Sequence, residues 1–268
     1  MKIVAQKIIY SQLLESPCFD EDNRSLYFID ISNSLIFRWN LETNELISVE
    51  TSGNVGALVL DKNNSAIISA ENIGVVSYSK DLTQPKLLVG FDLHKKDRRF
   101  NDGIIDPNGR YIFGSKGLSQ EHPLECALYS FDGDRVSDLL KGLTISNGMS
   151  FSPDGRILYH VDTPTGMISW YRYNLEEGKI EYKINSFAFD TEGLPDGITI
   201  DKNGKFWIAF WGGAKVSLWD LDKGREIKKI NLSLKCVTSC CLSKDEKVLF
   251  VTTGNTENNF SIVYQIEI

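Results

Sequence analysis

Short apolar runs separated by polar turns recur along the whole chain, and helical patterning is weak throughout. The stretch from Pro195 to Phe210 shows the unit most clearly. Ile198, Thr199 and Ile200 are β-branched and favour a pleated strand. Asp201-Lys202-Asn203-Gly204-Lys205 reads as a hairpin turn, with glycine supplying positive φ. Phe206-Trp207-Ile208-Ala209-Phe210 returns as a second strand. Just ahead of it all, Pro195-Asp196-Gly197 reads as a tight turn that sets an acidic residue at the mouth of the first strand.

The same grammar occurs six times: a polar or small residue, a mostly apolar strand, a polar turn, then a second strand. The first strands begin at Glu15, Gly56, Asn101, Asn147, Asp196 and Thr238, so successive units start 41, 45, 46, 49 and 42 residues apart. Second strands are expected at 26–29, 66–69, 111–113, 158–161, 206–209 and 248–251. Third strands are expected at 35–40, 75–78, 127–131, 167–173, 215–220 and 261–268, and weaker fourth strands at places such as 45–50 and 226–232. Four short antiparallel strands per unit, repeated at this period, predict an all-β fold, a six-bladed β-propeller. The sixth unit runs out of chain before its fourth strand. The unassigned stretch Lys2–Tyr10 can supply it, closing the ring and covering an open edge. No linker divides the chain, so residues 1–268 are expected to form a single domain.

The register of the repeat carries the candidate chemistry. The first strand of each propeller blade lines the central channel, so equivalent positions face one another around one mouth. Here they hold Glu15, Gly56, Asn101, Asn147, Asp196 and Thr238. Taken singly, Asn-Asp-Gly, Asn-Gly and Pro-Asp-Gly are ordinary turn chemistry. Together they bring two carboxylates and two carboxamides to one spot, and clustered carboxylates repel unless a cation or a proton joins them. Hard divalent cations take such oxygen ligands. The set suits Ca2+ and would also hold Mg2+, Mn2+ or Zn2+.

Second strands end on the same face, which places Asp30, Glu71, Lys116, Asp162, Trp211 and Thr253 around the rim. Asp30 and Asp162 are expected to cap loops or support the site rather than ligate. Lys116 either neutralises substrate charge or is solvated. Arg99, two residues before Asn101, is placed to donate to a substrate oxygen, whereas Arg98 beside it is expected to be solvated. His160 reads as a packed core residue.

Composition narrows the choice of partners. With 42% apolar residues the chain can bury a large core, and its net charge of −7 offers no basic surface beyond Lys95-Lys96-Asp97-Arg98-Arg99. Nucleic acid is therefore not an expected partner. Five cysteines at 18, 126, 236, 240 and 241 include no CxxC pair and read as reduced thiols of a cytoplasmic protein. No run approaches the ~20 apolar residues of a membrane span, and the first ten residues lack the apolar core of a signal peptide. A monomer or weak homo-oligomer is expected. No HExxH, Gly-x-Ser-x-Gly or Gly-rich phosphate loop occurs.

Four segments carry a resemblance. They are Glu15-Ser-Pro-Cys-Phe-Asp20 with Leu26-Tyr-Phe-Ile-Asp30, Arg99 to Arg110, Ile145 to Gly155, and Pro195-Asp196-Gly197. In these, and over nearly its whole length, the chain resembles the family of senescence marker protein 30 (regucalcin), gluconolactonases and luciferin-regenerating enzymes. The resemblance implies a six-bladed propeller with one divalent metal and hydrolysis of sugar lactones, five- or six-carbon aldonolactones above all. The family's metal ligands fall on Glu15, Asn147 and Asp196, and its substrate contacts on Arg99 and Asn101. The chain departs from the family at Gly114-Ser115-Lys116, where Gly-Thr-Met is frequent, and a substrate-contacting Glu has no secure counterpart, Ser119 and Glu121 both lying near. These departures bear on substrate choice more than on metal binding.

The implied mechanism gives Asp196 a second role as general base, with Arg99 and Asn101 orienting the sugar and stabilising the oxyanion. Two other functions fit the same residues: a phosphotriesterase- or aryl-esterase-like metal hydrolase, and a non-catalytic calcium-binding propeller.

Overall fold

Many hairpin tips are fixed by a short Asp or Asn side chain that caps its own turn. Asp106 Oδ1 accepts the N–H groups of Asn108 and Arg110 at 2.9 and 2.8 Å. Asp201 Oδ1 accepts those of Asn203 and Lys205, both at 2.8 Å. This Asx geometry reverses the chain within a few residues and leaves strands on either side.

The computed structural model describes residues 1–93, 97–118, 123–255, 257 and 259–268. Among these residues there is no α-helix, and no helix is long and apolar enough to cross a membrane. Four separate antiparallel sheets have four strands each. The first contains β2 (Leu14–Asp20), β3 (Ser25–Asp30), β4 (Leu35–Asn40) and β5 (Leu46–Glu50). The second contains β6 (Val55–Leu60), β7 (Ile67–Glu71), β8 (Gly74–Tyr78) and β9 (Lys86–Gly90). The third contains β10 (Arg98–Ile105), β11 (Tyr111–Gly117), β12 (Cys126–Phe131) and β13 (Val136–Leu143). The fourth contains β14 (Ser146–Phe151), β15 (Ile157–Asp162), β16 (Met167–Asn174) and β17 (Lys179–Ala188).

The remaining strands form a larger sheet. β18 (Leu194–Ile200), β19 (Phe206–Trp211), β20 (Lys215–Asp220) and β21 (Arg225–Asn231) make one meander. β22 (Cys236–Leu242), β23 (Val248–Gly254) and β24 (Ser261–Glu267) make another. A single backbone pair, Trp211 with Cys236, joins the two. The N-terminal strand β1 (Lys2–Ile9) pairs antiparallel with β24, so both ends of the chain share one sheet.

Apolar clusters lie between successive sheets. Tyr27, Ile29 and Val76 join the first to the second, Ala57 and Phe113 the second to the third, and Leu128 and Tyr173 the third to the fourth. Val161 and Ile208 continue the series, as do Ala209 and Val251. Leu26, Trp39, Phe250 and Val263 connect the last sheet back to the first. Each Val, Leu, Ile or Phe among them contributes roughly 1.5–3 kcal/mol by burial. The first strands touch in chain order, β2 on β6, β6 on β10 and onward, and β22 touches β2. The arrangement is that of a propeller-like all-β protein, with the first strands innermost.

One local expectation is corrected. Pro195-Asp196-Gly197 is not a turn but lies inside β18, where the pairing with β19 shifts register between Pro195 and Ile198. The same irregularity recurs in the other first strands, between Glu15 and Cys18, Val55 and Ala57, Phe100 and Gly103, Ser146 and Met149, and Val237 and Ser239. These are β-bulges, which bend a strand and re-aim a side chain.

The glycines beside them serve close approach rather than turning. A Cβ on Gly148 would lie 2.3 Å from the backbone oxygen of Asp196, and one on Gly197 would lie 2.2 Å from Ser239 Oγ. Bare backbone at these points lets β14, β18 and β22 converge.

Candidate active site

The register residues sit at the bulges of the first strands, where the backbone departs from regular pairing. Ser16, directly after Glu15, is held at φ 49°, a left-handed conformation that is costly for a residue with a side chain and is enforced by its surroundings. Glu15, Asn101, Asn147 and Asp196 are all buried, exposing about 5% or less of their surface. Behind them, all six first strands line a cavity of about 290 Å3, whose walls include Leu58, Asp102, Ile198 and Cys240.

A chain of hydrogen bonds fixes both carboxamides. Thr163 Oγ1 donates to the Pro195 carbonyl at 2.9 Å, which commits its single proton. The same oxygen can then only accept, and it accepts from Asn147 Nδ2 at 2.9 Å. The Asn147 oxygen must therefore point the other way, where it receives Asn101 Nδ2 at 3.1 Å. Asn101 Nδ2 also donates to the Ser146 carbonyl at 2.7 Å, so its two protons are used and its oxygen is left for other partners. The amide orientations follow from this network of donors and acceptors.

The carboxylates are less satisfied. Glu15 Oε2 accepts only the N–H of its neighbour Ser16, at 3.0 Å, and Asp196 Oδ1 is buried with no hydrogen-bond partner among the described residues. Burial raises the Glu15 carboxyl to about 8, with the nearby Asp102 charge adding to the effect. Asp102, itself raised to about 7 by burial, accepts the Gly103 N–H at 2.7 Å. Asp196 is pushed well above the usual carboxylate range by burial, then by Glu15 and Asp102. Three mutually repelling acids in one buried spot need protons or a cation.

Two cations stand beside them. Arg99 is buried, lowered to about 10 by that burial, and feels Glu15 and Asp196. Lys116 is half-buried and lowered to about 8 by desolvation and then by Arg99, while Asp196 and Glu15 oppose the shift. Arg98, by contrast, pairs with Glu125 at 2.6 Å, rather than standing solvated as expected.

Other rim positions serve the framework. Thr144 and Ile145 donate backbone N–H groups to the Asp162 carboxylate at 3.1 and 2.8 Å, and Asn33 donates its own to Asp30 at 3.0 Å. These are the loop-capping roles read for both acids. Glu71 is buried among Ser69, Tyr78 and the Ser52 N–H. Thr253 donates to the Ile262 carbonyl. Thr238 is buried and donates to the Leu14 carbonyl at 2.6 Å, which binds β22 to β2 rather than leaving a ligand. His160 is core, as expected, with Nε2 3.0 Å from Ser146 Oγ and a pKa lowered to about 3 by burial. Ser119 and Glu121 lie outside the described residues, as do His94, Lys95, Lys96 and His122.

Register reasoning missed Thr163 and Asp102. Both carried a signal: Thr163 adjoins the rim position Asp162, and Asp102 adjoins Asn101.

No three described His, Cys, Asp or Glu side chains group around a metal position. The donor set is instead two carboxylates and a carboxamide oxygen. The Asp196 oxygen, without a partner among the described residues, and the Asn147 oxygen, which keeps a second lone pair beside its bond from Asn101, are atoms of the kind that a hard divalent cation takes. The residues present thus fit such an ion.

Comparison with known proteins bears on the family and the fold. A Bacillus subtilis (strain 168) protein named for sugar lactone lactonase activity, YvrE, is 31% identical over 247 residues, 91% of this chain and 84% of that one. Regucalcin of Danio rerio is 29% identical over 245 residues, covering 90% and 82% of the two chains. Among solved structures, a luciferin-regenerating enzyme superposes with a TM-score of 0.86 at 20% identity, covering 96% of this chain and 92% of its own. The family model described as SMP-30/Gluconolactonase/LRE-like region matches residues 13–255, and the chain belongs to that family.

Proposed function

We propose that the chain is one six-bladed β-propeller over residues 1–268 and a divalent-metal-dependent hydrolase of sugar lactones. Glu15, Asn147 and Asp196 hold the cation, and Ca2+ suits their two carboxylates and one carboxamide best. The observation that carries the reading is the Asp196 oxygen, buried without a partner among the described residues and beside groups that repel it. Membership of a family that includes gluconolactonases, and the name of the B. subtilis relative, supply the substrate class.

When bound, the cation polarises the lactone carbonyl and acidifies the attacking water. Asp196 accepts the proton from that water, a role typically worth ~10²–10⁴-fold. Asn101, whose amide nitrogen is already committed, offers its oxygen to a sugar hydroxyl. Arg99 stabilises negative charge as it develops on the carbonyl oxygen, and Lys116 beside it contacts the substrate. The ring C–O bond then breaks, the leaving oxygen takes the proton from Asp196, and the product is an open-chain hydroxy acid. Thr163 holds Asn147 in the productive orientation throughout.

The test is removal of the metal. Chelator-treated protein should lose hydrolysis of a five- or six-carbon aldonolactone, followed by proton release, and recover it with Ca2+. Unchanged turnover after verified stripping would refute the proposal.

A further inference from the structure

Arg99 and Lys116 face each other directly across the β10–β11 pair. Like charges in that position destabilise a sheet, and burial makes the repulsion worse. Three other partly buried cations are neutralised by contact, while Lys215, buried without a carboxylate in contact among the described residues, meets Thr191 Oγ1 and the face of Phe210. Lys80 lies 2.7 Å from Asp20, Arg110 lies 2.8 Å from Asp106, and Lys205 lies 3.0 Å from Asp220. Among the described residues, Arg99 and Lys116 have no such partner. Arg99 Nη1 donates to the neighbouring Phe100 carbonyl at 2.7 Å, and Glu15 and Asp196 act on both cations only through space.

A cation held by Glu15 and Asp196 takes up those two carboxylates. Arg99 and Lys116 are then two adjacent positive charges at the mouth, with no described carboxylate in contact. One arginine fork and one ammonium, side by side, match an anion with at least two acceptor oxygens.

We propose that Arg99 and Lys116 form an anion subsite, and that the lactone hydrolysed here carries an acidic group of its own, a carboxylate or a phosphate. The proposal rests on the lactonase reading for the word lactone, but the subsite itself does not depend on turnover. Lys116 is the specificity determinant: it adds the second charge, whereas Arg99 also serves the reacting oxygen. A neutral sugar lactone offers Lys116 no counter-charge. An acidic one supplies a full counter-charge, and a hydrogen bond between charged groups is worth about 1.5–3 kcal/mol, roughly 10- to 100-fold in affinity.

The experiment is calorimetric titration of Ca2+-loaded protein with three product-like probes, D-gluconate, D-glucarate and 6-phospho-D-gluconate. The first has one acidic group, the second an added carboxylate, and the third an added phosphate. Wild type should bind at least one of the doubly acidic probes about tenfold or more tighter than gluconate, and the one preferred identifies the acid. Lys116→Met should level the three affinities, and Lys116→Arg should keep the preference. The melting temperature of each variant confirms that it is folded. Equal affinities in wild type, or a preference that survives Lys116→Met, would overturn the subsite. Should no lactone be hydrolysed while the preference for the second acid holds, the subsite stands and the lactonase reading falls.

Discussion

Replacing Thr163 by valine removes one hydroxyl and keeps the side chain's shape, so its effect can be worked out bond by bond. The hydroxyl donates to the Pro195 carbonyl and accepts from Asn147 Nδ2, both at 2.9 Å. Each bond contributes about 1 kcal/mol net, and a buried group left unpaired costs about 1–3 kcal/mol. With partial relaxation, the loss of stability is about 2–4 kcal/mol. The effect on the site is separate. Once Thr163 no longer requires the amide nitrogen, the Asn147 amide is oriented by the 3.1 Å bond from Asn101 Nδ2 alone, and its oxygen is held less firmly for a cation. Losing the group that orients a ligand typically lowers metal affinity 10- to 100-fold, which is about 1.4–2.8 kcal/mol. The assay is Ca2+ titration by calorimetry, run beside thermal unfolding on wild type, Thr163→Val and Thr163→Ser. Serine restores the hydroxyl and should restore affinity. A valine variant that is less stable but binds Ca2+ as tightly as wild type would show that Thr163 supports the fold alone, and the orienting role would be withdrawn.

The other predictions concern the acids and the close approach of strands. Asp196→Asn should reduce lactone turnover by at least ~10²-fold, while the melting temperature of metal-free protein holds or rises because a buried repelling carboxylate is gone; full turnover in a folded variant would end the general-base assignment. Glu15 and Asp102 are raised to about 8 and about 7, from ordinary values of 4.5 and 3.8. Between those limits the folded protein binds more protons than the unfolded chain, so the stability of metal-free protein should fall as pH rises. Melting curves at acid and mildly alkaline pH measure this. Added Ca2+ should narrow the difference, since the cation replaces the protons, and a metal-free protein that grows more stable across the window contradicts the assignment. Gly148→Ala places a Cβ 2.3 Å from the Asp196 oxygen and should cost about 1–3 kcal/mol by overpacking, read from the denaturant midpoint; wild-type stability would mean that β14 and β18 do not approach so closely.

Much of this protein was legible in the order of its residues. Strand and turn propensities act locally, so β4 falls at Leu35–Asn40 and β20 at Lys215–Asp220, where the pattern places them. The period of the repeat then aligns Glu15, Asn101, Asn147 and Asp196 without any coordinates, because equivalent positions in equivalent units meet equivalent surroundings. The Asp-x-Asn-Gly tips could be read for the same reason: an Asx turn closes within five residues and needs nothing else.

What the tertiary structure decided was everything that depends on a neighbour from another unit. Pro195-Asp196-Gly197 has the composition of a turn, yet it is a bulge in a strand, because pairing with β19 and the nearness of Ser239 hold it extended. Thr238 occupies a register position identical to that of Asp196, but the Leu14 carbonyl claims its hydroxyl. Thr163 looked like one polar residue after a strand, and its importance comes from reaching Asn147 in its own sheet and Pro195 in the next. The protonation of three crowded acids and the confrontation of Arg99 with Lys116 arise only when the sheets are assembled, since both depend on burial and distance. Residue types set which groups could take part; packing between the sheets decided which of them are left without a partner, and those are the ones available to a ligand.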